Sequence, residues 1–376
     1  MVVLTVNTGS SSVRLAAFAL DGESLVRQAS VHFSGERNEP VAMLRTFLWG
    51  HSIEAVAAVA HRIVHGGARL MAPCRIDDAV EAEIERMASL APLHNPLALQ
   101  WVRACRETFG AQLLQVAVFD TGFYADLPPE AATYALPQAL CRKHGIRRYG
   151  FHGLAHEAMW RRWCELRPQR KLRGRVISLQ LGAGCSITAV RDGHAVDTSM
   201  GFSPLEGLVM ATRSGDVDPG LLLYLQRAEK LSPEQLERLL NNESGLFGLS
   251  GATGDMSRLL ESEEPAARVA IDVYCYRVRK YIGAYFAALG GADAILFGGG
   301  VGEHAPEVRA KILSGLLCMG VVLDATANRS AIGAEACISN GSSEIEAWVI
   351  PVDEAAILAQ EATAVLETLE GEGRRS

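Results

Sequence analysis

A strand that breaks into a small-residue turn and then resumes as a strand occurs twice in this chain. That repeat limits the fold more than any other feature. The first copy runs from Val2 to Leu15, a β-branched run that stops at Asn7, turns through Thr8-Gly9-Ser10-Ser11-Ser12 and resumes with Arg14 in an apolar strand. Such a turn offers backbone N–H groups, small hydroxyls and a fixed cation, which are the groups that hold phosphate. It lacks the G-x-x-x-x-G-K-[ST] spacing of a P-loop. The second copy, Arg175 to Val190, turns around Gly182-Ala183-Gly184. Each copy leads into an Asp-Gly turn, Asp21-Gly22 and Asp192-Gly193, suited to positive φ in a hairpin. A phosphate hairpin present twice, half a chain apart, implies two similar domains that close over a nucleotide.

Length agrees with two domains, since 376 residues exceed what a single core usually supports. A net charge of −7 without a Lys/Arg run argues against a nucleic-acid surface. The eight cysteines are scattered singly with no C-x-x-C pair, so neither a zinc site nor a redox dithiol is indicated, and a reducing compartment is expected. Met1 leads directly into a core strand, leaving no room for a signal peptide, and no apolar stretch reaches membrane-spanning length. The expected location is the cytoplasm, with no membrane partner.

Apolar spacing predicts helices over Asp78 to Leu90, Pro96 to Phe109, Glu206 to Arg227, Ser232 to Asn241 and Glu264 to Leu289. A terminal helix is expected over Ala355 to Leu369, with the tail from Glu370 fraying. Leu113 to Phe119 reads as a buried parallel strand tipped by Asp120, where ligands gather in α/β sheets. Ala294 to Phe297 and Ala347 to Pro351 read as further buried strands.

Nine segments in order carry a resemblance to a known family. They are Asn7-Thr-Gly-Ser-Ser-Ser-Val-Arg14, His61-Arg62-Ile-Val-His-Gly-Gly67, Ala91-Pro-Leu-His94-Asn-Pro96, Phe119-Asp120-Thr-Gly-Phe123 and Tyr149-Gly-Phe-His152-Gly153, then the stretch from Met200 to Asp216, Ser250-Gly-Ala-Thr-Gly-Asp255, Phe297-Gly-Gly-Gly-Val-Gly-Glu303 and Pro351-Val-Asp-Glu354. With these the chain resembles the acetate kinase family of the acetate and sugar kinase/Hsp70/actin superfamily.

The resemblance implies an α/β fold of two duplicated actin-like, ribonuclease H-like ATPase domains with an interdomain cleft. Domain I is then expected over 1–119 with the returning helix 354–376, and domain II, for nucleotide and dimerisation, over 120–353. It also implies reversible phosphoryl transfer from ATP to acetate by direct in-line displacement, with magnesium, or manganese in its place, and a homodimer.

Such chemistry needs no general base, because a short carboxylic acid with a pKa near 4–5 is already ionised at neutral pH. It needs cations, neutral donors and a divalent metal to bring two anions together. The resemblance assigns Asp120, His152 and Arg213 to catalysis, and Arg62, Val64, Leu93, Phe151 and Pro204 to the acyl substrate. Asp120 is read as orienting Arg62 or as an outer contact to magnesium, with a turn cap made with Thr121 as its bland alternative. Asn7 and Glu354 are assigned to magnesium. Ser10, Ser12, Arg14, Gln180, Leu181, Gly182, Ala183, Gly184, Asp255, Met256, Ser257, Gly300, Val301, Gly302, Glu303 and His304 are assigned to the nucleotide.

Six positions depart from the family pattern: Arg14 for Lys, Tyr124 for His, Gln180 for His, Ala183 for Asn, Ser257 for Arg and His304 for Asn. Most lie on the nucleotide side, while Arg62, Asp120, His152 and Arg213 are intact. Propionate or another short-chain acid is therefore an alternative acceptor, and a nucleotide-binding regulatory relative with an altered phosphate donor is a reading from another class.

Overall fold

A computed structural model describes residues 1–9, 12–22, 24–34, 39–92 and 94–373, of which 372 and 373 are described by backbone alone. The chain separates into two compact units, Met1–Ala125 with His152–Leu154 and Asp353–Ser376, and Asp126–Phe151 with Ala155–Val352. The first unit thus runs past the expected boundary at 119/120 and also takes in His152. A local reason is that Gly153 N donates to Asp120 O at 3.0 Å, which ties that segment to the tip of a first-unit strand.

The first sheet comprises β1 (Val2–Thr8), β2 (Ser12–Asp21), β3 (Ser24–Ser34), β4 (Ala58–Ile63), β5 (Cys74–Arg75) and β6 (Leu114–Phe119), ordered β3-β2-β1-β4-β6-β5. The second comprises β7 (Arg175–Leu181), β8 (Cys185–Arg191), β9 (His194–Thr198), β10 (Ala294–Gly298), β11 (Ala336–Cys337) and β12 (Glu346–Val349), ordered β11-β12-β10-β7-β8-β9. Taken strand for strand the two orders are the same. Each has an antiparallel hairpin, then two parallel neighbours, then a short antiparallel edge. The duplication and the α/β class are as expected.

Alternation along the strands sets which residues face which helix. Leu4, Val6, Val13 and Leu15 turn to one face, where Leu44, Phe47, Trp101 and Cys105 of helices Pro40–Gly50 and Asn95–Phe109 complete a buried core. Asn7 is on the other face, with helix Glu354–Gly373 packed against β1, β4 and β6. In the second unit Cys185 Sγ meets Tyr274 Oη of helix Pro265–Leu289 at 3.3 Å, while Ser178 and Ser186 meet His156 of helix Gly153–Leu166 on the opposite face.

Helix Pro233–Asn242 starts with the capping box that Ser232 and Gln235 predict. The helix expected from Glu206 is confined to Pro219–Ala228. Between 206 and 218 the chain turns repeatedly, with Gly207 at φ 108° and Gly215 at φ 66°, before Asp218 caps the helix. The last helix begins at Glu354 and continues to Gly373, past the expected start of the fraying tail. No helix among the described residues is long and apolar enough to cross a membrane.

Candidate functional site

The first unit gathers its polar groups where β1, β4 and β6 end. Parallel pairing of β4 with β6 sets Arg62 beside Val118, one strand over from the tip that carries Asp120. Arg62 Nε donates to Asp120 Oδ1 at 3.0 Å and Nη2 to Oδ2 at 2.5 Å, a two-bond fork. Nη1 donates to Asn7 Oδ1 at 3.2 Å and to Thr8 O at 3.4 Å. One Nη2 proton has no acceptor among the described residues. Burial by itself would lower the Arg62 pKa, but the charges of Asp120 and then Glu354, with the hydrogen bond to Asp120, leave it raised, so the guanidinium stays charged. Burial pushes the Asp120 carboxyl up, against the pull of Arg62 and of a backbone hydrogen bond from His152, and the Glu354 charge adds to the rise. The fork is built for the ionised carboxylate all the same, because only that form accepts both guanidinium bonds.

Asn7 Nδ2 donates to Glu354 Oε2 at 2.6 Å, which holds that carboxylate at the start of the last helix. Glu354 Oε1 has no donor among the described residues. No group of three or more His, Cys, Asp or Glu among the described residues is placed to cage a metal. One carboxylate and one amide suit a cation that keeps most of its water, which is how magnesium is usually held. The donor set therefore fits the expected metal.

His152 has φ 58°, a left-handed conformation that a side chain adopts at a penalty of about 1–2 kcal/mol. The next residue must be glycine, since a Cβ on Gly153 would overlap Asp120 O and come within 2.8 Å of the Phe123 Cβ. The backbone of His152 is hydrogen-bonded to Asp120, which ties this strained residue to the tip of β6. Val64, two residues after Arg62, is buried, and Asn95 Nδ2 pins the loop after it by donating to His65 O at 3.0 Å.

In the second unit Arg213 stands in a loop held by backbone bonds on every side. Met210 N donates to Arg213 O at 3.1 Å, Ser244 N to Thr212 O at 3.0 Å, and Ala211 N to Ala183 O of the second phosphate turn at 2.9 Å. Among the described residues its guanidinium has one hydrogen-bond partner, Pro204 O, which accepts from Nη1 at 2.6 Å. Among the described residues it forms no ion pair, and burial lowers its pKa with Cys185 as the only opposing influence. A half-buried cation with most of its donors unused is chemically suited to an anion.

The other nucleotide-side residues divide. Gly182 N donates to Gly184 O at 3.1 Å and closes the second turn, and Gln180 Oε1 is a buried acceptor with no hydrogen-bond partner. Asp255 caps helix Met256–Glu261 through Ser257 N at 2.9 Å and also accepts from Ser257 Oγ, so both residues are engaged in the turn. Met256, Leu181 and Gly302 are buried in the core. Glu303 Oε1 accepts from Gly299 N at 2.9 Å and Val352 N at 3.2 Å; that oxygen serves the backbone. His304 Nδ1 meets Gly300 O at 3.1 Å, and Val301 lies in the same short helix, Gly299–His304. Arg14 is exposed on β2 opposite Asn7, Ser12 opens that strand, and Phe151 is buried in the second unit. Ser10 and Leu93 lie outside the described residues.

Arg309 escaped the sequence reading. It is fully buried and donates to Asn328 Oδ1, Gly302 O, Glu303 O, Asn328 O and Ala331 O, at 2.7–3.1 Å. It holds the glycine-rich helix Gly299–His304 from below. The available signal was an arginine set among Val308, Ile312 and Leu313 on the buried side of helix Pro306–Leu313.

The chain matches the family model described as the acetokinase family over residues 35–360. It is 41% identical to the acetate kinase of Solibacter usitatus (strain Ellin6076), covering 96% of this chain and 97% of that protein. The crystal structure of Porphyromonas gingivalis acetate kinase superposes with a TM-score of 0.87 at 36% identity, covering 97% of this chain and 99% of the other. A propionate kinase from Francisella tularensis subsp. tularensis SCHU S4 gives the same TM-score at 34% identity and the same coverage. The site residues, the duplicated sheets and these likenesses over nearly the full length agree: the chain belongs to the acetokinase family.

Proposed function

We propose that this protein is an acetate kinase that moves the γ-phosphoryl group of ATP to acetate, giving acetyl phosphate and ADP, and that the reaction is reversible. A carboxylate oxygen of acetate forms the new bond to phosphorus as the bond to the β,γ-bridging oxygen breaks. No proton has to leave the nucleophile. The observation that carries the reading is Arg213, a half-buried guanidinium whose only hydrogen-bond partner among the described residues is a carbonyl. It takes the phosphoryl oxygens as their charge spreads in transfer. Arg62, held rigid by Asp120, offers its remaining proton to the acetate carboxylate. His152 donates to the phosphoryl group. The acyl-substrate roles of Val64, Leu93, Phe151 and Pro204 belong to the same reading.

Asn7 and Glu354 hold magnesium, which when bound neutralises phosphate charge. The two turns around Ser10–Ser12 and Gly182–Gly184, together with Gly300–His304 and Asp255–Ser257, serve the nucleotide. We place the protein in the cytoplasm, where its eight free cysteines stay reduced. It acts as a homodimer: helix Pro219–Ala228 contains Leu221, Leu222, Leu223, Tyr224 and Leu225 yet buries none of its residues, as a helix awaiting a partner would.

Propionate is the second reading, since the propionate kinase is as close in shape as the acetate kinase. One methylene is worth only about 1–3 kcal/mol of discrimination. A coupled assay of acetate, propionate and butyrate against ATP, GTP and pyrophosphate with magnesium is expected to give the highest kcat/KM for acetate with ATP. Absence of phosphoryl transfer to every acid in that panel would refute the reading.

A further inference from the structure

Whatever places the Pro204 carbonyl aims Arg213, because that carbonyl is the guanidinium's one hydrogen-bond partner among the described residues. Residues 199–207, which carry it, form neither helix nor strand. One carboxylate organises them. Glu206 Oε2 accepts from the Tyr134 hydroxyl, and Glu206 Oε1 accepts from Arg148 Nη2 at 2.7 Å. The same Tyr134 oxygen accepts from Phe202 N at 2.8 Å. Arg148 Nη1 donates to Thr198 O at 3.0 Å and Ser199 O at 3.3 Å, and its Cζ lies 5.6 Å from the centre of the Tyr134 ring. The backbone passes so close to this group that a Cβ on Gly201 would overlap both the Glu206 carboxylate and the Tyr134 hydroxyl. On the other side Gly207 N donates to Asp216 Oδ1 at 2.8 Å and Asp216 N to Gly207 O at 3.0 Å, closing the loop that bears Arg213.

We infer that Tyr134, Arg148 and Glu206 are a positioning network that aims Arg213 through the Pro204 carbonyl. The inference rests on the reading of Arg213 as the group that stabilises transfer. Each of the three acts by fixing a backbone segment whose carbonyl orients the cation. A displacement of about 1 Å in such a group costs up to about 100-fold in rate.

The test is a double-mutant cycle with kcat, KM for each substrate and the melting temperature as readouts. Tyr134→Phe removes one hydroxyl and keeps the Arg148–Glu206 ion pair. It is expected to lower kcat about 10- to 100-fold with KM for ATP within about twofold, as the misaimed cation predicts. In an Arg213→Ala background the same substitution is expected to cost less than about threefold, because there is no guanidinium left to aim. A full second loss in that background, or an unchanged kcat in the single variant, overturns the inference. Glu206→Gln, run through the same cycle with the same expectations, serves if Tyr134→Phe fails to fold. Should Arg213→Ala alone keep the parent kcat, the reading of Arg213 fails first, and that result stands apart from the cycle.

Discussion

Arg62 and Asp120, 58 residues apart in sequence, meet in a two-bond fork whose carboxylate side chain is 1% exposed and whose guanidinium side chain is 11% exposed. Desolvating two such charges is expensive, and their mutual bonds offset it only while both are present. Asp120→Ala would strand a buried cation. It is expected to lower stability by about 3–5 kcal/mol and activity more than about 100-fold. Thermal melts and the coupled assay check this; a melting curve like the parent's would show that the fork does not hold the site.

Arg213 and Arg309 should give opposite signatures. The Arg213 side chain makes one hydrogen bond among the described residues, so Arg213→Ala is expected to change stability by less than about 1 kcal/mol while kcat falls about 10²- to 10³-fold and ADP binding persists. Arg309 donates to five carbonyl or amide oxygens, and Arg309→Met would take that donor from each of them, Glu303 O keeping only its bond from Gly333 N, a loss of about 2–4 kcal/mol. Urea melts of both variants beside nucleotide titrations decide it. Equal stability losses would contradict the contrast.

His152 exchanges backbone ease for placement. His152→Gly relieves the left-handed strain at φ 58°, so the melting temperature should hold or rise although glycine loses more chain entropy on folding. Phosphoryl transfer should nonetheless fall at least about 100-fold, the scale for loss of a positioned donor. A variant that keeps its rate would remove the ring from the reaction.

Burial lowers the pKa of His156 to about 3, and it lowers that of His61 to about 4 despite the hydrogen bond with Gln115. Unfolded, both rings titrate near 6.5. Between those values the unfolded chain binds more protons than the folded one, so stability is full above pH 6.5 and falls as pH drops, by up to about 1.4 kcal/mol per unit for each ring. His156→Gln is expected to flatten the fall between pH 6.5 and 4.5. Urea midpoints measured at pH 7, 6 and 5 in parent and variant test this, and parallel slopes would sink it.

Much of the architecture was legible because it rests on local pattern. The twin hairpins show in the β-branched runs on either side of Gly9 and Gly182, and the start of helix Pro233–Asn242 shows in Ser232 and Gln235. The stretch from Glu206 misled because its apolar residues, Leu208, Val209 and Met210, are buried in a loop, where spacing looks helical without being so. Asn7 and Glu354, separated by 347 residues, could be paired only through resemblance. Tyr134 and Arg148 carried no signal, and Glu206 stood only within the Met200 to Asp216 segment and as the start of an expected helix.

Periodicity, turn chemistry and residue type by themselves determined a duplicated α/β chain with phosphate-suited turns and a set of candidate cations. Only tertiary structure decided how each cation is partnered, with Arg62 locked to a carboxylate, Arg213 nearly unpartnered among the described residues, and Arg309, which the sequence did not single out, caged by carbonyls. The reason is that strand pattern is set by neighbours in the chain, whereas the fate of a buried charge depends on which distant groups the packing brings within about 3 Å.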